Sequence, residues 1–377
     1  MIYLDNAATS FPKPEETINA VLHFLTETGG NPGRGGHPLA IDAARVVFET
    51  RERLTKFING KDSERLIFTQ NGTESLNVAI LGLLEAGDHV VTTGLEHNSV
   101  MRPLDFLMKT RNVKVSIAGC SSNGELNIES LKKSIKKKTK AVIVNHGSNV
   151  IGAVQSLKAV REAAGDKILI VDACQTIGNI PVDVQREDID IVCFSCHKAL
   201  FGIQGLGAIY MREGIDVLPL RFGGTGSNSE FTRQPDALPD KYESGTPNTP
   251  AIAALSGGLT FIEKTGADEI RKKKRTLTKR IVKGLRAITG VHIYGEPERD
   301  DQLPIILVNI EGCQPSDVGY ECNRAGICVR VGLHCSPLAH KTIGTFPAGA
   351  IRISPGYFTG ERETDRLIEV FSTFAER

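Results

Sequence analysis

The sequence predicts an α/β fold: a mainly parallel sheet in a large domain, joined to a smaller α+β domain. Three observations predict it. Strand-like and helix-like segments alternate from about residue 38 to residue 210. Strand candidates such as Ile168-Leu169-Ile170-Val171 are unbroken apolar runs, as strands covered on both faces are. After about residue 250 the pattern changes to a long amphipathic helix with scattered strands.

Each element has its local signal. Ile41 to Ile58 reads as a helix, with Gly60 just beyond its end. Arg65 to Thr69 reads as a strand, and Asn71-Gly72-Thr73-Glu74 opens a helix ending near Gly87. Short strands follow at Val90–Thr92, Val113–Ile117, Ala141–Val144, Ile168–Val171, Ile189–Phe194 and Gly207–Tyr210, most of them separated by helical patterns. Such alternation implies right-handed crossovers. The long helix spans about Ala267 to Ile288, with Ile270, Leu277, Ile281, Leu285 and Ile288 on one stripe. Strands at Leu307–Ile310 and Cys328–Val331 and a helix from about Glu363 to Phe374 complete the smaller unit.

Composition narrows the function classes. The 377 residues suggest roughly two domains at about 150 residues each. Lys+Arg number 45 and Asp+Glu 44, so the net charge of +1 supplies no field for nucleic acid or an anionic membrane. The basic runs at 136–138 and 271–275 lie at a helix end and on a solvated helix face, where cations are ordinary. No apolar run approaches the ~18 residues of a membrane span, and Met1 to Asp5 lacks the pattern of a signal peptide. The expected setting is therefore a reducing cytoplasm in which the eight cysteines are free thiols. Cys193-x-x-Cys196 is the one CxxC, and in a strand that spacing sends the two side chains to opposite faces, against a zinc site. No metal is expected.

The chemistry starts at Lys198. It follows the strand Ile189–Phe194 within Ser195-Cys196-His197-Lys198, and open α/β sheets bind ligands at the carboxyl ends of their strands. By itself it reads more readily as a surface lysine. Asp172, ending the strand one crossover earlier, changes the balance. A strand-end aspartate and, about 26 residues on, a strand-end lysine suit pyridoxal phosphate. The lysine forms a Schiff base with the aldehyde, and the aspartate keeps the ring nitrogen protonated. The plain alternative is an aspartate capping a turn. Gln70 to Glu74 joins a strand to a helix, where Gly72, Thr73 and the free N–H groups form an anion site or simply a helix cap. Ser195 and His197 stand ready as further phosphate contacts.

With these pieces the chain resembles the cysteine desulfurase and selenocysteine lyase group of class V aminotransferases. The resemblance covers essentially the whole length. It is carried by Tyr3 to Thr9, Glu96-His97-Asn98-Ser99, Ser148 to Gly152, Val171 to Gln175, Ser195 to Lys198, Glu243 to Asn248, Arg330 to Cys335 and Ile351 to Ser354. It implies a pyridoxal phosphate enzyme of fold type I, with residues 15–255 as the large cofactor-binding domain and residues 1–14 with 256–377 as the small domain. It also implies roles. His97 would stack on the cofactor ring and move protons, as a near-neutral imidazole can. Gln175 would bind the phenolic oxygen. Asn149 and Arg352 would hold the substrate carboxylate, which a guanidinium fork matches. Thr246 would reach the phosphate of a neighbouring subunit, making a homodimer with shared sites.

Cys335 separates the family members. In a desulfurase acting on L-cysteine, Lys198 would remove the α-proton and the Cys335 thiolate would attack the substrate sulfur. The products would be a Cys335 persulfide and L-alanine. His334 or another imidazole would assist the thiol. Against this stands the reading of Cys335 as one of eight ordinary thiols. Departures from the family pattern touch the substrate and the sulfur-acceptor protein. Leu333 stands where a histidine is usual, and Pro337 stiffens the turn after Cys335. Gly72 replaces a hydroxyl residue, and the loop Gly223–Ser227 has no assigned role beyond a mobile substrate-side loop. The alternatives are a selenocysteine lyase or cysteine sulfinate desulfinase on the same scaffold. From other classes come a non-catalytic sulfur-carrier scaffold and a redox or metal protein built on the cysteines.

Overall fold

A computed structural model describes residues 1–33, 35–227, 230 and 232–375. The chain opens with strand β1 (Ile2–Tyr3) and helices α1 (Glu15–His23) and α2 (Pro38–Phe57). Alternation follows: β2 (Leu66–Thr69), α3 (Gly72–Leu83), β3 (His89–Thr93), α4 (Asn98–Thr110), β4 (Lys114–Ala118), α5 (Ile128–Ser134), β5 (Thr139–Asn145), α6 (Leu157–Ala164) and β6 (Ile168–Asp172). Strands β7 (Ile191–Ser195) and β8 (Gly207–Met211) come next, without a helix before either. The last third holds α7 (Thr249–Thr265), α8 (Ala267–Arg286), β9 (Val291–Tyr294), β10 (Ile306–Ile310) and α9 (Pro315–Arg324). It closes with β11 (Ile327–Cys328), β12 (Arg330–Gly332), α10 (Pro337–Thr342), β13 (Ala350–Ile353) and α11 (Glu361–Ala375).

Seven strands form one sheet in the order β2-β8-β7-β6-β5-β3-β4. The predicted mainly parallel sheet is present, and β8 alone is reversed against its neighbours β2 and β7. The reversal follows from the short link after β7: a parallel return needs a crossover of a dozen or more residues, usually a helix. That link carries Lys198.

The apolar runs behave as expected of strands covered on both sides. Val142, Val144, Leu169, Val171, Val192 and Phe194 join one core, and Ala141, Ile143, Ile170, Ile191 and Cys193 join the other. The alternation is the period of two of a pleated strand. Cys193 and Cys196 fall in different cores, on opposite faces, as their spacing predicts. No group of three or more metal-ligating side chains occurs among the described residues.

The second sheet is antiparallel, ordered β12-β13-β10-β9, and β1 pairs in parallel with β11. The expected single strand Cys328–Val331 is in fact two. Cys328 pairs with Tyr3 and Arg330 pairs with Arg352, so the chain switches partners at Val329. Helices α8, α9 and α11 supply Ile281, Leu285, Val318, Cys322, Leu367 and Phe371 to the core beneath this sheet. The helix α8 is the long amphipathic one, but its first turn reaches the other core through Ile270.

Candidate active site

The site gathers at the carboxyl end of the large sheet, against β13 and the β12–α10 turn. Helix α3 forms one wall. Asn71 caps it, accepting from Glu74 N at 2.9 Å, while Glu74 Oε2 accepts from Gln70 N at 2.5 Å. The helix N-terminus is thus held with Gly72 buried and Thr73 exposed. A side chain at Gly72 would put its Cβ 2.4 Å from Cys174 Sγ and 2.7 Å from Ser195 Oγ, so any larger residue must displace one or both. Gly207 allows the equally close approach of β8 to the Asn71 backbone, 2.4 Å from a would-be Cβ.

Asp172 ends β6 and is buried, accepting from Cys174 N at 2.9 Å and lying 3.5 Å from Asn145 Nδ2. Behind it sits Glu96, fully buried, whose Oε1 accepts from Thr93 Oγ1 at 2.7 Å and Asn145 N at 2.9 Å. Burial pushes the Glu96 carboxyl up to about 8, with the Asp172 charge adding to the effect. Glu96 belongs to the motif Glu96-His97-Asn98-Ser99, but its burial is set by the fold and is not visible along the chain. Its signal is a carboxylate in an otherwise buried strand end.

His97 caps α4. Its Nδ1 accepts from Ser99 N at 3.0 Å and lies 2.8 Å from Ser99 Oγ, which lies 2.8 Å from Thr73 Oγ1. An amide only donates, so Nδ1 is bare and the ring proton of neutral His97 sits on Nε2. Burial lowers the His97 pKa, keeping the ring neutral. Thr73, His97, Asn98, Ser99 and Cys335 line one cleft.

Lys198 follows β7 and shares a second cavity with Gln175, Asn6, Ser354 and Lys274. Burial lowers its pKa, while Asp172 opposes the shift. Gln175 is buried and its amide nitrogen donates to Ala7 O at 2.9 Å, drawing the N-terminal segment over the cavity. The His197 ring lies 3.0 Å from Thr9 Oγ1, and its carbonyl accepts from Lys13 Nζ at 2.8 Å. Ser195 Oγ lies 3.7 Å from Cys174 Sγ. Thr246 is exposed, far along the chain on the loop before α7, and lines the large opening that also holds His197, Asn71 and Arg51.

Arg352, on β13, is 2% exposed, a burial that a guanidinium bears only with partners. Nη2 meets Asp5 Oδ1 at 2.7 Å and Nη1 donates to Asn149 O at 2.9 Å. Its buried Nε has no partner. Asn149 is expected at the substrate carboxylate. Its amide nitrogen donates to His334 O at 2.8 Å and its amide oxygen accepts from Ser336 Oγ at 2.9 Å, on either side of Cys335. Cys335 is the one exposed cysteine of the eight, all of them free, and Arg330 Nη2 lies 3.9 Å from its Sγ. Arg330, Asp5 and Ser99 are site residues that sequence reasoning did not single out, because their contacts are set by the fold.

A family model described as aminotransferase class-V matches residues 2–367. The chain belongs to the class-V aminotransferase family. Within this family it is similar to a probable cysteine desulfurase of Pyrococcus abyssi, 34% identical over 380 residues that cover 98% of this chain and 93% of that one. A probable cysteine desulfurase of Synechocystis is 30% identical over 383 residues, covering 98% and 90%. Among solved structures, apo cysteine desulfurase from Thermococcus onnurineus superposes with a TM-score of 0.93 at 30% identity, covering 100% of this chain and 94% of that one. Class-V aminotransferases of the desulfurase group use pyridoxal phosphate. The residues here fit that group: the cleared cradle at Gly72, the half-buried Lys198, the buried carboxylate at Asp172 and the unpartnered Arg352 Nε.

Proposed function

We propose that the protein is a cysteine desulfurase that converts L-cysteine to L-alanine and takes the sulfur onto Cys335 as a persulfide. The observation that carries this reading is the exposed Cys335 thiol in one cleft with His97 and Thr73, on a turn tied through Asn149 to Arg352.

When bound, pyridoxal phosphate supplies an electron sink for the carbanion at the substrate α-carbon. Lys198 would hold it covalently, Asp172 would face its ring nitrogen, and Gln175 its phenolic oxygen. Gly72, Thr73, Ser195 and His197 would cradle the phosphate. Arg352 takes the substrate carboxylate through its free Nε side. Asn149 orients Arg352 through its carbonyl and the thiol turn through its amide. Lys198, its pKa lowered by burial, is the base that takes the α-proton. His97 would face the ring, with its Nε2–H available as a proton donor. The Cys335 thiolate attacks the substrate sulfur, forming the S–S bond as the C–S bond breaks, and the β-carbon keeps the electron pair and takes up a proton to become the methyl group of L-alanine.

Thr246 would complete the phosphate site of a second subunit. An exposed apolar face supports a homodimer: Ile18 and Leu22 on α1, Leu25 just after it, and Leu39, Ile41 and Phe48 on α2. A sulfur-acceptor protein would receive the persulfide at the open cleft. Eight free thiols suit a cytoplasmic setting, and no helix among the described residues is long and apolar enough to cross a membrane. Residues 15–255 would act as the large domain, and 1–14 with 256–377 as the small one.

The test is purified protein with L-cysteine, wild type against Cys335→Ala, reading alanine and protein-bound sulfane sulfur. Both products in the wild type and neither in the variant support the reading. Equal alanine in both would point to selenocysteine or cysteine sulfinate as substrate instead. No product and no cofactor absorbance would leave a carrier scaffold.

A further inference from the structure

The turn that presents Cys335 is held in an unfavourable shape. His334 and Cys335 have φ of 51° and 58°, two consecutive non-glycine residues in the left-handed region. Such backbone persists only where its surroundings hold it. Ser336 N closes the turn on Leu333 O at 2.8 Å, Asn98 N donates to Cys335 O at 2.9 Å, and Asn149 grips both flanks. The His334 side chain makes the remaining attachment.

That attachment is a chain of buried groups whose protons have one consistent arrangement. His334 Nε2 lies 3.3 Å from Arg330 O, a carbonyl, so Nε2 must donate. Burial takes the His334 pKa down to about 3, helped by Arg352, so the ring is neutral and Nδ1 is bare. His340 Nε2, 3.0 Å away, must then donate to Nδ1. Burial lowers His340 to about 4, so its own Nδ1 is bare and accepts from Thr345 Oγ1–H at 2.6 Å. Every nitrogen of both rings is used, and none is left to serve Cys335 as a base. His334 is thereby removed from the acid–base part expected of it and becomes an anchor.

We propose that His340 is the positioning residue of the thiol turn, locking His334, and through it Cys335, by the hydrogen-bond chain Thr345–His340–His334–Arg330. The kinetic part of this inference rests on the desulfurase reading; the structural part does not. Glutamine can replace the Nε2–H donor of His340, and alanine cannot.

The experiment compares full-length wild type with His340→Ala and His340→Gln. Hydrogen exchange is followed at the Asn98 and Ser336 amides, together with kcat and KM for L-cysteine. In His340→Ala, exchange at the two amides should rise at least tenfold while the seven-stranded sheet is unchanged. Its kcat should fall at least tenfold with KM within twofold. His340→Gln should stay within about threefold of wild type on every reading. Unchanged exchange, an equal rise over the whole molecule, a loss carried by KM, or a glutamine variant as impaired as alanine would each overturn the proposal. Thr345→Val, which removes only the outer donor, replaces the alanine variant if that one does not fold. A wild type that makes no alanine refutes the desulfurase reading, and the exchange comparison then decides this proposal alone.

Discussion

Asn98 donates its backbone N–H to the carbonyl of Cys335 at 2.9 Å. The thiol turn is thereby fastened to the first turn of α4, directly beside the His97 that caps that helix. Two segments 237 positions apart meet through this main-chain bond, which brings Cys335 beside His97.

Lys198 is the residue whose loss should be most complete. Lys198→Ala should release the cofactor on desalting, read as lost visible absorbance. Alanine formation should fall by about 10²–10⁴, the usual worth of a positioned acid–base group. Retention of both would remove Lys198 from the mechanism.

Arg352→Lys keeps the charge but loses the fork. A charge-assisted hydrogen bond contributes about 1.5–3 kcal/mol. The KM for L-cysteine should therefore rise by roughly 10–100-fold, with kcat changed much less. Steady-state kinetics over a wide range of L-cysteine separates the two.

Gly72→Ala places a methyl against Cys174 Sγ and Ser195 Oγ. Overpacking of this kind costs about 1–3 kcal/mol. The cost should shrink in a Cys174→Ala background, since the nearest clash is removed while the Ser195 contact stays. Urea midpoints of the four members of this cycle would measure the coupling, and strict additivity would contradict it.

Glu96 couples stability to pH. The folded protein holds its proton up to about pH 8, and the unfolded chain releases it near the ordinary 4.5. Between those values the folded state binds more protons, so this group's contribution is complete below about 4.5 and is lost as pH rises through about 8. The slope is about 1.4 kcal/mol per pH unit within that window. Glu96→Gln keeps an acceptor for Thr93 and Asn145 and cannot titrate. Urea unfolding at pH 5 and pH 8 should show a clear pH loss in the wild type and a smaller one in the variant.

Leu22→Asp combined with Leu25→Asp should turn a dimer into a monomer in sedimentation velocity and remove activity, because the Thr246 contribution from the second subunit goes with it. A monomeric wild type of full activity would refute shared sites.

How much of this was legible along the chain varied with the range of the interaction. Lys198 and Asp172 were readable because both sit at strand ends, and strand ends were marked by runs such as Ile168–Val171. The cap at Asn71 and the opposite faces of Cys193 and Cys196 followed from local spacing, and both are present. The reversed β8 and the break between β11 and β12 were not readable. Each depends on which neighbour a strand pairs with, and a short apolar run carries no record of its partner. The bonds of Asn149 to His334 and Ser336, 185 and 187 positions away, likewise come only with the fold.

By itself, then, the sequence determined the fold class, the order of the elements and which residue types stand at the strand ends, because periodicity and capping act over a few positions. Only the tertiary structure decided that Arg352 meets Asp5 across 347 positions, that Glu96 lies buried behind Asp172, and that His340 reaches His334. Those pairings, and the protonation states that follow from them, arise from burial and from exclusion of water, which exist only once the distant segments have packed together.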